Sequence, residues 1–338
     1  MPREIVLRFL GATYLMALFS KHQTSPLEPG IRHHSRLLRI AVRCVAAALL
    51  LPIGITPLSV AASGDMRGGT EDTTKEPEAI VKRVIENEIQ MLSHNGMYLR
   101  YRMRKVDDKG DKLRDVIETR QGTVARLIEN QGRPLTPEEN QMELDRLNSM
   151  LAHPEEFAKH QRRDQMEKDR AEKLLRLVPE GLIFEVASPQ MPIPGVSGLQ
   201  QNILQLNFKP NLSFQPTMIE SQILKSMQGH VWVNTIDHEI AHFDVQLISD
   251  AAFGWGLLGK VYKGGTLVLD QADAGGGHWI LTHLRENLTV RALLVRTISL
   301  NVKEDLGDFS VLRKGMDYQE GIRILQQTPL IQQAVSKQ

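Results

Sequence analysis

The sequence predicts an α+β fold in which a large antiparallel β-sheet packs on helices. Two observations carry this prediction. Apolar residues recur with a period of two from residue 97 to about residue 130 and again from about residue 181 to about residue 312, and polar or glycine-rich turns separate the runs. Helical spacing appears only near residue 80, over 136–178 and near the C-terminus, so the helices are few and lie between or beside strands.

Composition limits the classes of partner and of chemistry. The 338 residues include 41 basic and 40 acidic side chains, so no net field attracts nucleic acid, and we expect no nucleic-acid partner. Cys44 is the single cysteine, which rules out an internal disulfide. No motif in the chain requires a cofactor, and we expect none.

The N-terminus has the layout of a secretory signal peptide. Four arginines at 32–43 precede the apolar run CVAAALLLPIGITPLSVAAS, which ends in small residues. Cleavage near Ala61 or Ala62 would remove residues 1–62, an N-terminal extension and signal peptide, and leave a protein that is periplasmic or otherwise exported. A membrane anchor is the alternative, but two prolines interrupt the run.

The remaining chain reads as one domain. Residues 63–74 are small and polar and predict a flexible linker. A single α+β domain follows over 75–335, beginning with an amphipathic helix that Asn95 and Gly96 end.

The stretch MYLRYRMRK predicts a half-buried strand. Met97, Leu99, Tyr101 and Met103 alternate with a tyrosine and three arginines, so one face is apolar and the other is basic. We interpret the arginines as the solvated face of a sheet, with anion binding as the alternative. LRDVIETR and GTVARLIEN predict the next two strands of a meander.

A charged helical segment is inserted at 136–178. Thr136 and Glu139 match a capping box with Pro137 at the first helical position, and Pro154 divides the segment into two helices. Its polar surface is typical of a solvated helix, or of an arm that binds another envelope protein.

The C-terminal half predicts strands and a closing helix. GLIFEVAS is the first of these strands, a turn signal at Asp305 to Gly307 ends one of them, and the helix lies within 316–333. The other predicted strands lie near 202–209, 229–234, 238–249, 260–271, 278–286, 289–302 and 307–312.

The pentapeptide HEIAH at 238–242 spells the motif of a zinc peptidase. On a helix, His238 and His242 would share one ion and Glu239 would be the general base. On a strand, the two histidines would stand roughly 13 Å apart and Glu239 would point to the opposite face. Apolar residues in this segment fit both periods, so periodicity alone leaves both open.

The surroundings of the pentapeptide favour the strand. HVWVN, directly upstream, is β-prone, and the metzincin continuation is missing, since Val245 and Ile248 stand where glycine and histidine are needed. We therefore expect no catalytic residue and no metal ligand here, and keep the zinc peptidase as the alternative. GWGLLG, Gly254 to Gly259, spells a dinucleotide-binding motif but leaves no room for the helix that such a site needs, so we expect a hairpin connection.

The order of elements resembles the Lol-type lipoprotein carriers of the bacterial envelope and related exported bacterial proteins. The resemblance covers roughly residues 75–320 and is carried by IVKRVIENEIQML with MYLRYRMRK, by GHVWVNTIDHEIAHFDVQL and by GWGLLGKVYKGGTLVLD. The resemblance implies a large, strongly curved antiparallel sheet, open like an unclosed barrel, that wraps around helices and encloses an apolar cavity. The charged segment 136–178 departs from a typical carrier.

A cavity of this kind would bind a lipid or the acyl chain of a lipoprotein without catalysis. The residues expected to line it come from two predicted strands, with one tryptophan at its mouth: Met97, Leu99, Tyr101, Met103, Phe243, Val245, Leu247 and Trp255. The alternative is that these side chains are an ordinary core packed on helices. A non-catalytic envelope interaction protein is a further alternative for the whole chain.

Overall fold

The structure is a computed structural model. It describes residues 72–92, 98–253, 259–274, 279–292, 296–312 and 316–328. The predicted signal peptide, most of the predicted linker, Met97 and Trp255 lie outside these residues.

The described residues form four α-helices, one 3₁₀ helix and thirteen strands. The helices are α1 Asp72–Leu92, α2 Pro137–Ala152, α3 Pro154–Gly181, the 3₁₀ helix Glu220–Ser226 and α4 Tyr318–Gln326. The strands are β1 Tyr98–Asp107, β2 Gly110–Thr119, β3 Gly122–Asn130, β4 Arg133–Pro134, β5 Leu182–Val186, β6 Ile203–Pro210, β7 Met227–Asn234, β8 Glu239–Leu247, β9 Ala251–Phe253, β10 Gly259–Val261, β11 Thr266–Asp273, β12 Trp279–Ala292 and β13 Arg296–Leu312.

All thirteen strands belong to one antiparallel sheet that does not close into a barrel. Its order is β4-β3-β2-β1-β13-β12-β11-β8-β7-β6-β5, with β10 paired to β12 and β9 paired to β10. The first and last long strands are neighbours, since Met103 of β1 pairs with Leu306 of β13. The predicted α+β class with a large antiparallel sheet is confirmed. The Lol-type form of that sheet stays a prediction.

The cross-strand register separates the sheet into an apolar face and a polar face, because directly paired residues lie on the same side of a sheet and successive residues on opposite sides. The apolar face carries one row that runs over five strands: Leu284, Leu269, Phe243, Val231 and Leu206. The polar face carries the adjacent row: Asp305, His283, Asp270, His242, Trp232 and Gln205.

The helices pack on the sheet in two groups. Helices α1 and α3 contact each other and β5, and α1 also contacts β8. Helices α2 and α4 contact β3, and α4 also contacts β2. A buried cluster fills this second contact, with the rings of Phe157 and Tyr318 stacked at a centroid distance of 4.0 Å: Ile117, Val124, Leu147, Met316, Tyr318, Ile322 and Leu325.

The predicted inserted segment is two helices, and it belongs to the core. The capping box is confirmed, because Glu139 N donates to Thr136 Oγ1 at 3.2 Å and Thr136 N donates to a Glu139 carboxylate oxygen at 2.9 Å. Pro154 begins α3, as predicted, but α3 continues to Gly181. Leu147 and Leu174 are 0% and 2% exposed, so this segment contributes to folding. Its binding to another protein stays a prediction.

Several strand boundaries in the C-terminal half were predicted wrongly. The break expected after residue 286 is absent, since Asn287 pairs with Thr266 on one side and with Asn301 on the other. Backbone pairing with a neighbouring strand on each side outweighs the local preference of asparagine for turns. The turn expected at Asp305 to Gly307 is also absent, because these residues pair with β1 and β13 absorbs one extra residue as an irregularity between the partners of Arg100 and Arg102.

Two further predictions concern the strand expected at 260–271 and the hairpin connection before it. The predicted strand 260–271 is two strands, β10 and β11, separated by a turn in which Gly264 has a φ of 88°. Because β10 begins at Gly259, a strand rather than a helix follows the predicted hairpin connection. Among the described residues, no helix is long and apolar enough to span a bilayer.

Candidate functional site: the apolar face and the HEIAH segment

The described residues of the predicted lining are largely buried. In β1, Leu99, Tyr101 and Met103 are 4%, 1% and 3% exposed. In β8, Val245 and Leu247 are each 5% exposed. Phe243 of β8 is half-buried and stacks on Phe208 at a centroid distance of 5.2 Å. The predicted alternation of buried and exposed positions in β1 is therefore confirmed over these residues.

The two predicted lining strands are not neighbours. Three strands, β13, β12 and β11, lie between β1 and β8. The register nevertheless joins them: Phe243 pairs with Leu269, Leu269 with Leu284 and Leu284 with Glu304. Glu304 pairs with Lys105 of β1, and the Lys105 ammonium lies 2.6 Å from its carboxylate. The central leucines were not singled out in the sequence, although both lie in predicted strands, 260–271 and 278–286.

Two of the three arginines of β1 pair with carboxylates of β2, and Arg102 pairs with Asp308 of β13. Arg100 donates to Asp115 at 3.0 Å, and Arg104 donates to Asp111 at 2.6 Å. The Asp115 hydrogen bond raises the pKa of Arg100, and the Asp111 hydrogen bond raises the pKa of Arg104. The interpretation of a solvated sheet face does not hold at Arg100, because its partner Ile117 is 0% exposed and lies in the buried cluster under α4.

The HEIAH segment is a strand from Glu239 onward, as its surroundings predicted. His238 precedes the strand in the turn, with a φ of 56°. The register between β7 and β8 skips Ala241, because Trp232 pairs with His242 and Val233 pairs with Ile240. This bulge breaks the strict alternation from which the sequence argument placed Glu239 opposite His242, and period-two patterns cannot locate a bulge.

His242 is bonded within the polar face. Its Nδ1 lies 2.5 Å from Oδ1 of Asp270 on β11, its ring meets Trp232 edge to face at 4.9 Å, and its side chain is 4% exposed. Within the described residues its Nε2 is buried without a hydrogen-bond partner. Trp232 Nε1 in turn donates to the backbone oxygen of Met191 at 2.9 Å, so a proline-rich loop covers this part of the polar face.

These contacts do not make the zinc arrangement. A helical HEIAH places both imidazoles one turn apart on one face, whereas here one histidine is in a turn and the other is in a strand, bonded to Asp270. Among the residues that the structure describes, no three His, Cys, Asp or Glu side chains are grouped to hold a metal ion. The zinc-ligand reading of His238 and His242, with Glu239 as base, is therefore not supported by the geometry.

Glu239 and Glu88 form a pair of buried carboxyl groups where α1 meets the sheet. They are 6% and 5% exposed. Burial raises the pKa of Glu239 to about 8, with Glu88 and Asp237 contributing by charge repulsion. Burial raises the pKa of Glu88 to about 7, against a smaller opposing effect of its hydrogen bond with Gln271. In the sequence, Glu239 stands out only as part of HEIAH. Glu88 does not stand out, because its helical position resembles that of the solvated acids around it.

Polar contacts fix α1 on the turn between β7 and β8. Asn87 Nδ2 donates to the backbone oxygens of Asp237 and His238 at 2.8 and 3.2 Å. Arg83 Nη1 lies 3.2 Å from His238 Nε2. On the same turn, the Asp237 carboxylate accepts a hydrogen bond from Trp279 Nε1 at 3.1 Å.

Comparison of the chain with family models, with curated proteins and with solved structures finds no match. The resemblance to the Lol-type carriers therefore has no independent support, and the functional argument depends on the geometry alone.

Proposed function

We propose that this protein is a non-catalytic binding protein of the cell envelope that holds a lipid or the acyl chain of a lipoprotein against the apolar face of its sheet. The observation that carries the proposal is the length of that face. One row of apolar side chains continues across five strands without a polar interruption, from Leu284 to Leu206.

The second apolar row supports the same conclusion. Leu267, Val245 and Phe208 follow one another across β11, β8 and β6, with Gly229 of β7 between the last two. Helix α1 contacts β5 and β8, whereas α4 contacts β2 and β3. A long apolar surface suits an extended chain of methylene groups.

The chemistry of the surface selects an apolar ligand. Each buried methylene group contributes about 0.8 kcal/mol, so an acyl chain of ordinary length gains enough from burial to bind without a polar anchor. Phe243 is half-buried, whereas its row neighbours Leu269 and Leu284 are 3% and 1% exposed. Phe243 is therefore the member of the row that a ligand reaches with the least rearrangement.

Extraction of the purified full-length protein, followed by mass spectrometry of the organic phase, tests the proposal. We expect co-purified lipid or fatty acid in an amount comparable with the protein. Delipidated protein should then bind a fluorescent long-chain fatty acid with a saturable signal. Absence of both lipid in the extract and saturable binding would contradict the proposed function.

A matched pair of variants locates the ligand. Phe243→Asp places a carboxylate on the apolar face, and we expect at least a tenfold loss of fatty-acid affinity. Val268→Asp places the same group on the neighbouring strand, at a position that pairs with Asp244 and so lies on the polar face, and should leave affinity unchanged. Equal losses in both variants, at equal thermal stability, would count against binding on this face.

A further inference from the structure

Helix α1 lies against the apolar face near the turn between β7 and β8. Its Glu88 accepts a hydrogen bond from Gln271 Nε2 at 3.4 Å. Gln271 follows Leu269 by two residues in β11, so both side chains are on the apolar side of that strand. The helix also buries four apolar side chains, Val81, Val84, Ile89 and Leu92, each less than 9% exposed. It therefore covers part of the surface proposed to bind the ligand.

The contact between α1 and the sheet contains two acids and a neutral amide. Glu88 contributes one carboxyl group, and Glu239 at the start of β8 contributes the other. Within the described part of the chain, no ion pair joins either group to a lysine or an arginine. Ionisation of either acid therefore leaves a buried negative charge beside a second carboxyl group.

The other charged groups at this contact do not neutralise the two acids. From the turn before β8, Asp237 adds a third negative charge, and His238 lies against Arg83 of α1 itself. On the other elements that contact α1, two ion pairs lie at exposed positions: Glu185 of β5 pairs with Lys209 of β6, and Glu172 of α3 pairs with Arg176.

We propose that α1 is a pH-dependent lid on the apolar face, docked while Glu88 and Glu239 are protonated and released when they ionise. This inference rests on the proposed function, because it names the regulation of the same ligand site. The hydrogen bonds from Asn87 to the backbone oxygens of Asp237 and His238 involve no titratable group. They hold the helix in register while it is docked and do not change with pH.

The direction of the pH effect on docking follows from the two carboxyl groups. Burial raises the pKa of Glu88 to about 7 and the pKa of Glu239 to about 8, above the ordinary value of 4.5 for the unfolded chain. The contribution of each protonated acid to docking is complete below pH 4.5 and is lost as the pH rises through these raised values. Release is therefore expected between neutral and mildly alkaline pH.

Hydrogen exchange of the α1 amides in the full-length protein without lipid tests the lid, with fatty-acid binding as a separate readout. Wild-type protein and the Glu88→Gln/Glu239→Gln variant are compared at the same pH, so that the intrinsic pH dependence of exchange cancels. At pH 5.5 we expect equal protection of α1 in both proteins. At pH 8.5 we expect α1 protection at least tenfold lower in the wild type than in the double variant. Protection of β11, β12 and β13 should be the same in both proteins. The Glu88→Gln single variant removes only one of the two carboxyl groups, so its α1 protection at pH 8.5 should lie between those of the wild type and the double variant.

Each outcome decides one of the two proposals. Equal α1 protection in wild type and variants at both pH values would overturn the lid. If the variants do not fold, the wild type alone tests the lid. A change in α1 protection between pH 5.5 and pH 8.5 that is no larger than the change in α2 protection would then overturn the lid. Release of α1 without any fatty-acid binding would refute the proposed function and leave the lid intact. Fatty-acid affinity that is equal at both pH values would refute the regulation and leave the binding function intact.

Discussion

His242 and Asp270 face each other across β8 and β11, with the imidazole Nδ1 and the carboxylate Oδ1 separated by 2.5 Å. The bond engages one nitrogen of the second HEIAH histidine, and the strand directs the ring toward Trp232. His242, which would be a zinc ligand in the peptidase motif, is here a structural residue of the polar face.

Metal removal should therefore leave the protein folded. Because the segment is a strand and His242 is bonded to Asp270, we expect a chelator to change the melting temperature by less than the error of the measurement. Differential scanning fluorimetry with and without the chelator is the check. Stoichiometric zinc in the purified protein, lost together with stability in a His238→Ala variant, would restore the peptidase hypothesis.

Replacement of His242 by phenylalanine should be destabilising. The variant removes the hydrogen bond with Asp270, and we expect a loss of about 1 to 2 kcal/mol of unfolding free energy. Urea unfolding measures it. Asp270 is 33% exposed at its side chain, so water can satisfy it in the variant and the loss should stay moderate. His283→Phe is the matched control, since the His283 side chain is 52% exposed and its bond to Asp305 should contribute little.

Global stability should fall as the pH rises from about 5.5 to about 8.5, because Glu88 and Glu239 are protonated in the folded protein at the lower value and ionised at the higher one. Burial raises the pKa of Glu88 from 4.5 to about 7, which corresponds to a total loss on the order of 3 kcal/mol as the pH rises through these two pKa values, of which about 2 kcal/mol falls above pH 5.5. Urea unfolding of the wild type and of Glu88→Gln at both pH values measures the difference. A wild type as stable at pH 8.5 as at pH 5.5, relative to the variant, would contradict it.

Gly229→Ala should destabilise the sheet. A Cβ atom at this position in β7 would lie 2.0 Å from the backbone oxygen of Asp244 in β8, so the two strands would have to separate. Overpacking of this kind costs about 1 to 3 kcal/mol, and here the obstacle is backbone rather than a movable side chain. The melting temperature measures the effect. Gly307→Ala is the control, because a Cβ atom there has open space, and it should melt within about a degree or two of the wild type.

Arg126→Met should loosen α4. The Arg126 guanidinium, in β3, donates to the backbone oxygens of Leu325 and Thr328 at 2.7 Å each, and so satisfies carbonyl groups at the C-terminal end of the helix. Methionine fills a similar volume but donates nothing, so we expect a loss of about 2 to 3 kcal/mol. Chemical unfolding gives the total, and hydrogen exchange should show the largest loss of protection in α4. An unchanged α4 in the variant would mean that packing of Ile322 and Leu325 holds the helix unaided.

Much of the local structure could be predicted because local chemistry determines it. Thr136 and Glu139 form the predicted capping box, and the alternating residues of β1 are buried as their period required. The strand ends in β12 and β13 could not be predicted, because Asn287 and Asp305 favour turns locally and are held in ladders by partners far away in the chain. The same limit hid the bulge at Ala241.

The chain by itself determined where most helices and strands lie and which sides of them are apolar, because these depend on spacing between neighbours in sequence. For HEIAH that spacing left helix and strand open, and the β-prone residues directly upstream favoured the strand. Only the tertiary structure decided which strands lie side by side, so that Leu269 and Leu284 link the two predicted lining strands. It also brought Glu88 beside Glu239. Proximity between residues 151 positions apart depends on the whole packing of α1 on the sheet, and no short-range pattern encodes it.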